Sequence, residues 1–101
     1  MNNVYVMSAN RSAIGGFGGT LKNHCPVDLG TLVAKEAIAR SGYEANEVEH
    51  AVFGNVIHTE PRDMYVSRVI ALQAGMDKAS AALTVNRLCG SGLQAIVSAS
   101  Q

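Results

Sequence analysis

The last fourteen residues constrain the fold more than any other part of the chain. From Leu88 to Gln101 no residue is charged, and many positions are Gly, Ala or Ser. A helix without charge is typical of an element buried on all sides, and small residues let its neighbours approach closely. The pattern reaches the last residue without a capping glycine or a proline. We therefore expect a central, enclosed helix and a truncated domain, because two outer helices and three strands could hardly surround it.

The preceding sequence predicts alternating strands and helices. Helical patterns cover about Asp28 to Ser41, which Gly42 ends, and a second stretch that begins near Pro61 and ends at Gly75. This order predicts right-handed crossovers onto a parallel sheet, and hence an α/β fold. Short apolar runs favour three strands, the first of them central in the sheet: Val4–Met7, Ala51–Ile57 and Ala82–Val85.

Charge and cysteine usage argue against several classes of protein. Eight Lys and Arg balance eight Asp and Glu among the 101 residues, so no basic stripe is available for nucleic acid or anionic lipid. The sequence has no run long enough to span a bilayer and no leader before the first strand, so we expect a cytoplasmic location. Two distant cysteines without a Cys-x-x-Cys motif or paired histidines argue against a disulfide scaffold or a structural zinc site.

Cys89 lies where the third predicted strand gives way, through small residues, to the last helix. The segment reads Asn86-Arg87-Leu88-Cys89-Gly90-Ser91-Gly92-Leu93-Gln94-Ala95. A turn of this kind holds the thiol near free main-chain N–H groups and the positive end of a helix dipole, which favours the nucleophilic thiolate. Without such a context, a lone cysteine before a helix is more often a small buried hydrophobe.

This segment closely resembles the nucleophile motif of the thiolases, which include the acetyl-CoA acetyltransferases and the 3-ketoacyl-CoA thiolases. Val4–Gly15 and Phe17–Lys22 resemble the family's opening strand and its Arg-Thr-Pro-Ile-Gly stretch. Ser12 and Ala13 depart from that stretch, and Ala51–Val56 resembles the second strand. Because the family's chain is roughly four times longer, the resemblance implies the truncated N-terminal part of a thiolase N-terminal domain, with a partial βαβαβα parallel sheet.

The resemblance also implies an activity. A thiolase is an acyl-CoA acyltransferase that condenses two acyl-CoA molecules to a 3-ketoacyl-CoA, or performs the reverse thiolysis, through a thioester on Cys89. The N–H of Cys89 is a candidate oxyanion donor, while Gly90, Ser91 and Gly92 either surround that site or serve close packing alone. Acyl-CoA and CoA are then substrates and binding partners, and no separate cofactor or metal is expected.

The family's base residues are a second cysteine, a histidine and an asparagine in later motifs that this sequence does not contain. His24, His50 and His58 match none of those motifs, so we interpret them as surface or loop residues. The 101 residues alone are therefore expected to be inactive. The resemblance further implies a homodimer or homotetramer that pairs the third strand, about Ala82 to Asn86, with its copy.

Two alternatives to a thiolase remain open from the sequence: a β-ketoacyl synthase-type condensing enzyme, and a non-catalytic fragment that lacks the base. Cys25, between His24 and Pro26, is interpreted as structural or incidental. The glycines from Gly15 to Gly19 form a loop, since the spacing of a dinucleotide-binding motif is absent. The charged residues Glu60, Arg62 and Asp63 are most simply a solvated turn, which could also meet a partner subunit.

Overall fold

A computed structural model of the protein describes residues 2–101. In chain order it contains α1 (Pro26–Ser41), a 3₁₀ turn (Ala45–Glu47), β1 (His50–Gly54), a second 3₁₀ turn (Pro61–Tyr65), α2 (Val66–Gln73), β2 (Ala81–Val85) and α3 (Ser91–Ser100). β1 and β2 are parallel, with His50 opposite Ala81 and Gly54 opposite Val85. The α/β class and the parallel sheet predicted from the sequence are therefore confirmed.

The two outer helices begin and end close to the predicted residues. Pro26 occupies the first turn of α1, where its missing N–H leaves no bond unmade, and Gly42 ends the helix at a φ of 82° that favours glycine. The second helix departs from the prediction in its first turn, because the chain is 3₁₀ from Pro61 to Tyr65 before α2 begins. Gly75, at a φ of 92°, follows α2 as expected.

α2 lies between α1 and the sheet and contributes to both clusters of buried apolar residues. On one side Ile70 and Val66 pack against Val27 of α1, and on the other Ala71 packs with Ala51 and Met76. A β-carbon on Gly30 of α1 would collide with the side chain of Ile70, so glycine at that position lets the two helices approach closely.

Ser67 ties the first turn of α2 to both strands of the sheet. Its buried hydroxyl donates to the carbonyl of Leu83 at 2.8 Å and accepts from the N–H of Phe53 at 3.1 Å and from the hydroxyl of Thr84 at 3.0 Å. One donated and two accepted bonds use the full capacity of a hydroxyl group. The side chain therefore bridges β1 and β2 near the ends from which the site loops emerge.

The first predicted strand is not formed. Val4–Met7 has no strand partner, and Val6 is 81% exposed. Strands exist only as hydrogen-bonded pairs, and within residues 2–101 no main-chain group before Gly16 makes a main-chain hydrogen bond. The segment is attached to α1 by side chains instead, since Ser8 donates to the carbonyl of Ala37 and Asn10 to that of Val33.

The prediction that the last helix is buried on all sides also fails within the residues that the structure describes. α3 packs on β1 and β2 through Ser91 and Ala95, which are its only buried residues. Leu93, Ile96 and Val97 are exposed, Leu93 by 69%. The composition indicated an enclosed helix, but here only the sheet covers it. None of the helices in residues 2–101 combines the length and the apolar character needed to cross a membrane.

We expect Ser67→Ala to destabilise the protein by about 1–3 kcal/mol, because it leaves the N–H of Phe53 and the carbonyl of Leu83 without their bridging partner. Urea unfolding of the protein expressed from its complete coding sequence measures this change. Ser100→Ala is the matched control, since that exposed hydroxyl donates only to a carbonyl of its own helix. Equal unfolding free energies for the two variants would contradict the bridging role of Ser67.

Candidate active site

Two loops leave the sheet at the same edge. β1 ends at Gly54 and continues into a loop that begins with Asn55, while β2 ends at Val85 and continues into the turn that carries Cys89. The N–H of Asn55 donates to the carbonyl of Val85 at 3.0 Å, which extends the pairing of the strands into the loops. In open parallel sheets the crevice outside the carboxyl ends of the strands is the usual place for a ligand.

The turn between β2 and α3 holds a residue in an unusual backbone conformation. Leu88 has a φ of 48°, the only positive value among the non-glycine residues that the structure describes. A branched apolar side chain rarely adopts this conformation, and it persists only where surrounding bonds enforce it. One such bond comes from Asn86, whose side-chain oxygen accepts the N–H of Leu88 at 3.0 Å.

Ser91 supplies the other bonds that hold this turn. Its buried hydroxyl accepts the N–H of Arg87 at 2.8 Å and donates to the carbonyl of Leu88 at 2.7 Å. The N–H of Gly90 donates to the carbonyl of Arg87 at 3.0 Å. The side chain of Ser91, two residues after Cys89, thus fixes the two residues before it. In this structure Ser91 therefore shapes the turn rather than facing a substrate.

Gly54 allows the start of α3 to lie directly against β1. A β-carbon at Gly54 would lie 2.8 Å from both the main-chain carbon and the β-carbon of Ser91, and 2.9 Å from its main-chain oxygen. The obstructing atoms are backbone and a buried side chain, which cannot move aside independently. Only glycine permits this distance between strand and helix, and that distance sets the position of Cys89.

The structure brings the predicted site residues together around an exposed thiol. Cys89 is exposed, and Gly90 is the N-cap residue of α3. The N–H groups of Cys89 and Gly92 donate no hydrogen bond of normal geometry within residues 2–101. Unbonded donors at the start of a helix are available to an anionic oxygen. A β-carbon built on Gly92 meets nothing within 4 Å, so close packing does not require glycine there in these residues.

The sequence predicts that Asp63 lies in a solvated turn. This prediction is wrong, because the side chain of Asp63 is fully buried. Burial raises the pKa of this carboxyl, but hydrogen bonds from the hydroxyl and N–H of Thr59, both 2.7 Å long, and from the N–H of Glu60 outweigh it and hold the pKa below the ordinary 3.8. The prediction is right for Arg62, whose partly exposed guanidinium pairs with Glu60 at 2.9 Å. The sequence contains one signal for the position of Asp63. Asp63 follows Pro61 by two residues, and this spacing is typical of a capped first helical turn.

Asn55 connects the same loop to an imidazole. Its side-chain nitrogen donates to the main-chain oxygen of Asp63 at 3.0 Å and lies 2.8 Å from Nδ1 of His58. Sequence reasoning treated His58 as an ordinary loop histidine, and no local motif distinguished Asn55. The structure places both residues at the edge of the sheet from which the Cys89 turn emerges.

The other cysteine, Cys25, is not part of the turn that carries Cys89. Cys25 precedes α1, is half-buried, and has the guanidinium of Arg62 at 3.8 Å from its sulfur. It packs at the margin of the Val27 cluster. This environment agrees with the structural interpretation of Cys25.

Comparison with known proteins gives this arrangement a family. The sequence model of the family described as "Thiolase, N-terminal domain" matches residues 4–101. The chain belongs to the thiolase family. It is 60% identical over 98 residues to "Beta-ketothiolase BktB" of Cupriavidus necator, an alignment that covers 97% of this chain and 25% of that protein. This thiolase segment therefore spans about a quarter of the length of that relative.

Solved thiolase structures share the fold. The crystal structure of human mitochondrial 3-ketoacyl-CoA thiolase superimposes with a TM-score of 0.90 at 37% identity, covering 94% of this chain and 24% of that one. The structure of the human protein in complex with CoA gives a TM-score of 0.80 at 38% identity over 84% of this chain and 22% of that one. The thiolase fold predicted from the resemblance is confirmed.

We expect Gly54→Ala to displace the start of α3 in this thiolase segment, because the added methyl group meets the backbone of Ser91. Overpacking of this kind costs about 1–3 kcal/mol, and the moved turn should change the rate at which iodoacetamide alkylates Cys89. Gly16→Ala is the control, since a β-carbon there meets nothing within 4 Å. The explanation is wrong if both variants keep wild-type stability and alkylation rate.

A second prediction follows from the lowered pKa of Asp63. A carboxyl whose pKa is lower in the folded protein contributes stability above its ordinary pKa of 3.8, and this contribution is lost as the pH falls through the folded value. We expect Asp63→Asn to cost about 1–3 kcal/mol at pH 7, with a smaller difference from wild type in strong acid. Unfolding measured against pH checks this. Glu49→Gln, at an exposed carboxylate, is the matched control.

Proposed function

We propose that this chain supplies the nucleophilic cysteine of an acyl-CoA acyltransferase that works as a thiolase. The observation that carries the proposal is the exposed thiol of Cys89, held by a fixed turn at the carboxyl edge of the sheet and at the start of α3. The relatives named beta-ketothiolase and 3-ketoacyl-CoA thiolase support the same activity. The remaining residues of the reaction are expected outside this segment, as the family resemblance implies.

In the proposed first half-reaction the thiolate of Cys89 attacks the carbonyl carbon of an acyl-CoA. Negative charge develops on the former carbonyl oxygen, and the N–H groups of Cys89 and Gly92, which donate no main-chain hydrogen bond in residues 2–101, are its proposed donors. When the bond from carbon to the CoA sulfur breaks, the acyl group stays on Cys89 as a thioester and CoA leaves with the electron pair. One thioester replaces another, so the acyl group is held without being trapped.

In the second half-reaction the acyl group leaves Cys89 in one of two ways. Attack by the α-carbanion of a second acyl-CoA gives a 3-ketoacyl-CoA and regenerates the thiolate of Cys89. In the thiolysis direction, cleavage of a 3-ketoacyl-CoA leaves an acyl group on Cys89. The sulfur of CoA then attacks this thioester and takes the acyl group, which regenerates the thiolate of Cys89. The crystal structure of the human relative in complex with CoA supports CoA as a ligand. CoA and its thioesters are the proposed substrates, and no separate cofactor is part of the proposal.

The proposed enzyme is also a homodimer or homotetramer that pairs the third predicted strand, about Ala82 to Asn86, with its copy across a two-fold axis. Among residues 2–101, β2 has β1 on one side and no strand on the other, and its Leu83 is 43% exposed. A strand with a free edge can accept a second copy. The cytoplasmic location stays a prediction, since one relative is named mitochondrial and another comes from a bacterium.

We expect acetyl-CoA to add one acetyl group to Cys89 of the protein expressed from its complete coding sequence, and free CoA to remove it. Intact-mass spectra and peptide mapping measure both steps. Cys89→Ala should abolish the adduct, whereas Cys25→Ala, at a half-buried thiol away from the turn, should keep it. A wild-type protein that acetyl-CoA leaves unmodified, or one labelled only by an acyl-carrier-protein thioester, would overturn the thiolase proposal.

A further inference from the structure

The loop after β1 contains an ordered group of polar side chains that the proposed acyl transfer does not yet use. It consists of Asn55, His58, Thr59 and Asp63. Among them Asp63 is fully buried, while His58 is exposed at the surface. Oδ1 of Asp63 is buried without a hydrogen-bond partner in the residues that the structure describes. A solvated loop has no need of such a buried anchor, since an unpartnered buried polar atom is costly.

The hydrogen bonds of Asn55 determine which nitrogen of His58 carries its proton. The main-chain oxygen of Asp63 can only accept, so the group that Asn55 directs to it at 3.0 Å must be the amide nitrogen. The same nitrogen lies 2.8 Å from Nδ1 of His58 and, as an amide nitrogen, can only donate to it. Nδ1 is therefore an acceptor, and the neutral imidazole carries its hydrogen on Nε2.

Asp63 makes this arrangement rigid. Its Oδ2 accepts the N–H and hydroxyl of Thr59 and the N–H of Glu60, which fixes the chain immediately after His58. Its main-chain oxygen fixes Asn55 in turn. The imidazole is thus held through its own side chain and through the following residue. Hydrogen bonding of this kind is how proteins keep a polar group oriented before a ligand arrives.

The loop that carries His58 lies next to the turn that carries Cys89. Gly54, immediately before Asn55, lies against Ser91, and Ser91 is two residues after Cys89. The N–H of Asn55 also pairs with Val85 at the end of β2. His58 therefore follows the strand end that adjoins the Cys89 turn. No hydrogen bond within residues 2–101 involves Nε2 of His58, so this donor is available to a ligand.

We infer that His58 is a substrate-positioning residue, whose Nε2–H donates a hydrogen bond to a carbonyl oxygen of the acyl-CoA that acylates Cys89. This inference rests on the proposed function. A neutral imidazole donor matches an uncharged carbonyl acceptor. Acyl-CoA offers such acceptors at the thioester and at the two amides of the pantetheine arm. Asn55 and Asp63 act through His58, by fixing its tautomer and its place.

The test measures single-turnover acetylation of Cys89 by intact mass in the protein expressed from its complete coding sequence. We expect His58→Ala to lower the second-order rate constant with acetyl-CoA about tenfold, the loss of one hydrogen bond. His58→Gln keeps a side-chain N–H and should recover part of the rate. The matched control is His50→Ala, an exposed histidine at the opposite, amino end of β1, which should acetylate at the wild-type rate.

Two further measurements separate substrate contact from structure. Iodoacetamide alkylates Cys89 without needing a carbonyl contact to His58, so its rate and the melting temperature should match wild type in His58→Ala. Ethyl thioacetate carries only the thioester carbonyl. A tenfold penalty with this compound as well places the contact at the acyl group, whereas a penalty with acetyl-CoA alone places it on the pantetheine arm.

The possible failures are distinct. Wild-type acetylation by acetyl-CoA together with an unchanged rate in His58→Ala overturns the inference and leaves the proposed function intact. Equal losses of acetylation and of iodoacetamide alkylation also overturn it, because they assign His58 to the shape of the turn. A wild-type protein that acetyl-CoA does not acetylate overturns the proposed function, and the inference with it.

Discussion

The contact between Gly54 and Ser91 is the constraint on which the rest of the site depends. β1 and α3 approach until no side chain fits between them, and a β-carbon at Gly54 would lie 2.8 Å from the backbone of Ser91. Because α3 begins two residues after Cys89, this distance fixes the position of the thiol relative to the carboxyl ends of the strands. It also brings the loop of Asn55 beside the turn. Because Gly54 has no side chain, two loops that are far apart in sequence lie side by side.

The turn at Cys89 shows how the fold maintains a conformation that its own residues disfavour. Leu88 has a φ of 48°, which costs an apolar residue of order 1–3 kcal/mol. The hydroxyl of Ser91 and the side chain of Asn86 bond to the main chain on either side and offset that cost. Since Ser91 is itself held against Gly54, the strain is stabilised by tertiary contact. In the proposed acyl transfer the thiol is therefore positioned before substrate binds, which removes ordering entropy from the chemical step.

The sequence predicted local features well, and tertiary ones less well. Pro26, Gly42 and Gly75 act through their own backbone preferences, so the ends of the helices could be predicted, as could the motif around Cys89. Whether Val4–Met7 forms a strand depends on a neighbour, which no local pattern supplies. The partners of Ser67 lie 14 to 17 residues away and were not visible in the sequence. Asp63 was interpreted as solvated because a charged side chain is usually exposed. Its burial depends on hydrogen bonds from Thr59 and Glu60, which the sequence alone does not show.

The exposed side of α3 links stability to chemistry. Leu93, Ile96 and Val97 lie three and four residues apart and so share one face, which the sheet does not cover. Burying a large apolar side chain contributes about 1.5–3 kcal/mol, so covering this face would stabilise α3 by more than any single hydrogen bond in the turn. α3 is rigidly joined to that turn through Ser91. In the proposed acyltransferase, a surface that covered this face would therefore also hold Cys89 and the loop of His58 in place, and loosening that contact would weaken acyl transfer before it altered the thiol itself.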